Sequence, residues 1–147
     1  MSVSAPVATL RCLVVDDDPL AVQVVLNCIA NTPFLHAIGS YNNPVEAAEF
    51  LRNNPVDLLF LDVEMPLMSG IELLRTLQNP PPVVLITSSK EYAVEAFEQS
   101  VVDYLMKPVS FARFLQAAQK ALEASQRQPN VGAEAIETPA PTPASRS

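Results

Sequence analysis

The sequence predicts an α/β fold, a parallel sheet of five strands with five helices over both faces. Three observations carry this. Short, nearly continuous apolar runs recur without the in-out alternation of a half-exposed strand. Segments with helical apolar spacing lie between them, as crossover helices joining parallel strands require. The runs stop at charged or hydroxyl residues, which gathers polar groups at the carboxyl ends of the strands. Open α/β sheets bind their ligands there.

Each element has its own signal. Leu10 to Val15 is the first strand, and it stops at Asp16-Asp17-Asp18. Leu20 to Ala30 is rich in valine and alone could be a strand. Asp18-Pro19 makes it a helix, with aspartate as N-cap and proline in the first position. Phe34 to Ile38 is a weaker second strand ended by Gly39. Asn43-Pro44 opens the second helix, with Val45, Ala48, Phe50 and Leu51. Asp57 to Leu61 is the third strand and stops at Asp62. Ser69-Gly70 opens the third helix, spaced by Ile71, Leu74 and Leu77. Pro80-Pro81-Pro82 stiffens the entry to the fourth strand, Val83 to Ile86, which stops at Thr87. Tyr92, Ala93, Ala96 and Phe97 space the fourth helix. Val101 to Met106 is the fifth strand and stops at Lys107-Pro108. Phe111, Phe114, Leu115, Ala118 and Leu122 share one face of the fifth helix.

Composition bounds the function. The 147 residues are 49% hydrophobic and 17% charged, enough apolar surface for one core. The net charge of −7, from 16 acids against 9 bases, argues against nucleic-acid binding through this domain. One histidine and two cysteines make a zinc site or a disulfide scaffold unpromising. Cys12 and Cys28 read as small core residues in a reducing compartment, and His36 as a structural residue of an edge strand. No secretory start and no run of 18 apolar residues occurs, so a cytoplasmic domain with no membrane contact is expected. The folded unit is placed at 10–124. Residues 1–9 are a flexible lead, and 125–147, rich in Pro, Ala, Ser and Thr, are a linker or disordered tail.

If the strand ends converge, they bring together Asp16, Asp17, Asp62, Thr87 and Lys107. Crowded carboxylates raise one another's cost of ionising, and a divalent cation removes the conflict. An all-oxygen carboxylate site favours Mg2+, which readily accepts a phosphoryl oxygen. An aspartate beside Mg2+ can act as nucleophile and form an aspartyl phosphate. Metal, hydroxyl and ammonium could each meet one of the three equatorial phosphoryl oxygens.

The runs VVDDDPLA, FLDVEMPLMSGIELL, LITSS and VVDYLMKP, in this order and spacing, resemble the receiver domain of two-component response regulators. EYAVEAFEQSVVDYLMKP is most similar to receivers of the LytR/AlgR type. The resemblance covers Leu10 to Ala124 and implies a flavodoxin-like, CheY-like sheet of order 2-1-3-4-5. It implies that Asp62 is the phosphoacceptor and that Asp17 and Asp16 hold Mg2+, Asp16 through water. Glu64 would offer its backbone carbonyl to the metal. Thr87 would bond the phosphoryl oxygen, Lys107 would pair with it, and the Lys107–Pro108 bond would be cis. Tyr104 matches the aromatic switch residue. The donor would be a histidine kinase or phosphotransfer protein, and a lone His36 is no histidine phosphodonor. Output would be partner binding or a homodimer through the fourth helix, fifth strand and fifth helix. A receiver assists its own phosphorylation and hydrolysis but is no enzyme on a free substrate. Regulators of this type usually carry a DNA-binding domain after the receiver, where this sequence has only its proline-rich tail.

Blander readings stand beside these. Asp18 is simply an N-cap. Singly, Asp16 and Asp17 are solubilising strand ends, Thr87 a turn hydroxyl, Lys107 a surface lysine and Tyr104 half-buried packing. Rival functions are a phosphorylation-independent interaction module and a Mg2+-dependent phosphohydrolase with Glu64 as general acid. On the first helix, Ala21, Val24, Val25 and Cys28 suffice for the core. Val22, Leu26 and Ile29 are left over, either to pack against the last helix or to dock the donor.

Overall fold

The computed structural model describes residues 9–93, 96, 99 and 101–127. The strands are β1 (Leu10–Val15), β2 (Leu35–Tyr41), β3 (Leu58–Asp62), β4 (Val83–Thr87) and β5 (Asp103–Met106). They form one parallel sheet in the order β2-β1-β3-β4-β5. Among the described residues there are four α-helices: α1 (Pro19–Ala30), α2 (Pro44–Asn53), α3 (Gly70–Arg75) and α4 (Phe111–Arg127). The segment predicted as the fourth of five helices begins in a 3-10 turn at Lys90–Tyr92. Phe97 and several neighbours lie outside the described residues, as do 1–8 and 128–147. None of the described helices is long and apolar enough to cross a membrane.

The sheet has two packed faces, and successive strand residues alternate between them. On one face Cys12, Val14, Phe60 and Ile86 meet α1 and α4, and Phe60 stacks on Phe114 with ring centroids 5.0 Å apart. On the other, Leu13, Val15, Leu59, Leu61 and Leu85 meet Ala47 and Ala48 of α2 and Ile71, Leu73 and Leu74 of α3. Burial on both sides is why β3 and β4 read as unbroken apolar runs. Cys12 and Cys28 are free and buried, and burial pushes the Cys12 thiol up to about 12.

Several boundaries differ from expectation. β2 does not end at Gly39 but runs on to Tyr41. Its register against β1 shifts, with Cys12 opposite Ala37 and Leu13 opposite Gly39, so Gly39 marks an irregularity within the strand. α3 stops before Leu77, because Thr76 N–H turns back to Leu73 and Leu74. β5 starts at Asp103, and α4 continues through Arg127, past Ala124.

In the first helix Val25 and Cys28 are buried as expected, and the leftover side takes the first of its two alternatives, packing toward the last helix. Ile29 is buried, and Val22 and Leu26 pack against the cluster that contains α4. Val24, assigned to the core, is 43% exposed instead, beside Leu20 at 76%. The packing of α4 on the same sheet face decides this, because it covers the side a helical wheel leaves open.

Candidate functional site

Parallel strands deliver their carboxyl ends to one rim. Val15 lies beside Leu61, Asp62 beside Ile86, and Thr87 beside Met106. Asp16, Asp62, Thr87 and Lys107 each stand at a strand end or one residue past it, so the register brings them to the same place. Asp16, Asp62 and Thr87 are buried, while Asp17 is exposed.

Lys107 Nζ is 3.1 Å from Asp16 Oδ2 and 3.4 Å from Asp62 Oδ1. Carboxylate oxygens of Asp16, Asp17 and Asp62 all lie within 4.8 Å of one another. Three carboxylates thus face one ammonium. Burial, and then the charge of Asp16, pushes the Asp62 carboxyl up to about 7, against the pull of Lys107 and the Glu64 backbone. Burial disfavours the Lys107 charge, but its bond to Asp16 and the charges of Asp62 and Asp16 outweigh this and raise it. Beyond burial, the push of Asp16 on Asp62 and of both aspartates on Lys107 reflects a pocket with more carboxylates than cations. The donor set is all oxygen and suits a hard divalent cation.

The neighbours hold these groups in place. Asp16 Oδ1 accepts from the Asp18 N–H at 2.9 Å, and Asp18 Oδ1 accepts from the Leu20 N–H at 3.0 Å, so Asp18 caps α1. The Lys107–Pro108 bond is cis. Thr87 Oγ1 accepts from the Ser89 N–H at 3.2 Å, and the Tyr104 hydroxyl donates to the Ser89 carbonyl at 2.6 Å. Ser89 therefore links the two residues matched to the switch. The exposed Glu64 carboxylate accepts from the Ser88 hydroxyl at 3.1 Å. Asp16, Asp17, Asp62 and Lys107 are brought together, Thr87 stands next along the rim, and Tyr104 is tied to a loop rather than to the cluster.

Two features escaped the sequence reading. A Cβ added to Gly70 would lie 2.3 Å from the Asp62 carbonyl oxygen. The start of α3, fixed by a Ser69–Glu72 capping box, is thus pressed against the backbone of Asp62. Ser69-Gly70 signals a helix start but not this contact. The second is Asp103 at the head of β5. Arg113 grips it with two bonds of 2.8 Å and Lys120 adds a third at 3.2 Å. Arg113 and Lys120 are seven apart on one helix face, the spacing that could have revealed them. Burial works against the charge of Asp103, but the bonds from Arg113, the Tyr104 backbone and Lys120 hold its carboxyl down to about 2.

A five-stranded parallel sheet of this order, with two buried aspartates, an exposed third and one lysine at its carboxyl rim, defines a doubly wound α/β domain with an acidic pocket. The chain belongs to the response regulator receiver domain family, whose model matches residues 12–119. It is 36% identical over 115 residues to a response regulatory protein of Vibrio cholerae, covering 77% of this chain and 48% of that one. It is 36% identical over 106 residues to the transcriptional regulatory protein BtsR of Escherichia coli strain K12, covering 71% of this chain and 44% of that one. The crystal structure of the response regulatory domain of protein MrkE from Klebsiella pneumoniae superposes with a TM-score of 0.75 at 33% identity, covering 81% of this chain and all of that domain. The chain spans about half the length of the curated relatives it matches. Membership makes it a phosphorylation-controlled signalling module.

Proposed function

We propose that Asp62 accepts a phosphoryl group from a phosphohistidine of a histidine kinase or phosphotransfer protein. The observation that carries this is the pairing of a buried Asp62 with Lys107 at 3.4 Å in a pocket holding more carboxylate than cation. Asp16, Asp17, Asp62 and the Glu64 backbone carbonyl would hold Mg2+, which when bound neutralises the crowded carboxylates and the arriving phosphoryl oxygens.

An Asp62 oxygen attacks phosphorus while the bond to the donor breaks. Lys107 then leaves its shared position between Asp16 and Asp62 to meet one phosphoryl oxygen. Thr87 turns its hydroxyl from Ser89 to another. That releases Ser89, and with it the Tyr104 hydroxyl, so the surface around β5 and its flanking helices changes. The readout is partner binding or homodimerisation through that surface. The domain acts in the cytoplasm, makes no nucleic-acid contact of its own, and turns over no free substrate. The run EYAVEAFEQSVVDYLMKP supports placing it with the LytR/AlgR-type receivers.

Intact mass after incubation with acetyl phosphate tests the proposal. One added phosphoryl, dependent on Mg2+ and absent in Asp62→Ala, is expected. An adduct that persists in the variant overturns the assignment of Asp62.

A further inference from the structure

A groove of about 410 Å³ opens directly beside the acidic pocket. Asp16 and Lys107 form its polar end, and Leu20, Val24, Ile86 and Val109 are among its apolar walls. Lys107 is the group that bridges Asp16 and Asp62. A ligand in the groove therefore has one end at Lys107, whose ammonium is 3.4 Å from Asp62, and the rest against hydrocarbon. Leu20 and Val24 leave this wall largely open to water, so an apolar group laid there would remove surface that the fold leaves wet.

We infer that the groove takes the acyl chain of a small acyl phosphate, so that Asp62 draws its phosphoryl group faster from donors with a longer apolar tail. This rests on the reading of Asp62 as phosphoacceptor. The chemistry is a single transfer. An Asp62 carboxylate oxygen forms the new bond to phosphorus, and the bond from phosphorus to the acyl oxygen breaks. The carboxylic acid leaves as its anion, so no proton or oxidant is needed. The size of the groove suits the purpose. A few hundred Å³ is ample for a chain of three to six carbons and matches the lower range of small-ligand sites. The match in chemistry lies along the wall, where hydrocarbon meets hydrocarbon; at the other end Lys107 can meet a phosphoryl oxygen once the three carboxylates are offset by Mg2+.

The test compares acetyl phosphate with butyryl phosphate, whose leaving carboxylates are nearly equal in basicity, so intrinsic reactivity cancels. Initial rates of phosphoryl adduct formation are read by intact mass in Mg2+ at donor concentrations below saturation. Two extra methylenes in a half-open groove predict a rate ratio of roughly three- to tenfold in favour of butyryl phosphate. In Leu20→Gln with Val24→Gln, both at exposed positions that tolerate polar residues, the ratio falls to about one. A ratio near one in the unaltered protein overturns the inference. So does a high ratio that survives in the double variant, because the tail would then lie elsewhere. Adduct from neither donor overturns the phosphoacceptor reading itself, and this inference with it.

Discussion

Asp103 and Asp62 are both aspartates at strand ends of one sheet, and both are largely buried, yet their carboxyls move in opposite directions. At the head of β5, one carboxylate is held by Arg113 and Lys120, and its acidity rises to about 2. At the end of β3, Asp62 shares Lys107 with Asp16 while Asp17 stands alongside, and it is pushed up to about 7. The count of cations per carboxylate sets the sign; burial is common to both. The first cluster is complete and fastens β5 to α4. The second is left short of positive charge at the rim where a cation and an anionic group are proposed to arrive.

Four variants break or sharpen this contrast. Gly70→Ala has the largest expected effect, because its methyl would drive into the Asp62 carbonyl from the start of α3. A loss of roughly 3 kcal/mol is expected in urea unfolding. A cost below about 1 kcal/mol would mean that the contact yields easily.

Asp103→Asn should cost roughly 2 kcal/mol at neutral pH, since it removes the negative charge and one of the two oxygens that accept from Arg113 and Lys120. The pH dependence has a definite sign. The folded-state value lies below the unfolded one of 3.8, so the contribution is present above about pH 4 and lost as pH falls toward 2. Acid titration of stability should be shallower in Asp103→Asn within that window. An unchanged slope would remove Asp103 from the account.

Asp62→Asn should do the reverse. Without divalent cation at neutral pH it relieves crowding, and a gain of about 1 kcal/mol is expected together with complete loss of the phosphoryl adduct. A variant less stable than the parent would show that Lys107 already balances the pocket.

Leu67→Gly is the smallest. Leu67 lies in the loop after Asp62 with φ of +74° and is 81% exposed. Glycine adopts that backbone without a Cβ penalty, so a gain of about 0.5 kcal/mol in thermal unfolding is expected. No gain would mean that leucine bears the conformation without cost.

The rim was readable in the sequence for a physical reason. Asp16, Asp62, Thr87 and Lys107 each follow an apolar run, and parallel strands necessarily deliver their ends to one side. What stayed hidden depends on how helices are set against the sheet. A wheel shows that the apolar arc of α1 is wide, but only the packing of α4 decides that Val22 and Leu26 turn inward and Val24 outward. Gly70 was hidden because a close approach between the head of α3 and the end of β3 leaves no mark on periodicity. Arg113 and Lys120 looked like an ordinary solvated face, since their partner Asp103 lies on a different element.

α4 begins four residues after Lys107 and runs 17 residues back along the sheet, a path of about 25 Å. Ala121, near its far end, packs in one cluster with Leu10 and Leu58 at the starts of their strands. The chain therefore leaves the described domain at the pole opposite the acidic rim. Immobilised through that pole on a sensor chip, the domain would present Asp62 outward to the flow. A fluorescent protein fused there would shade none of the mouth, which makes this end the natural handle for a reporter of the switch.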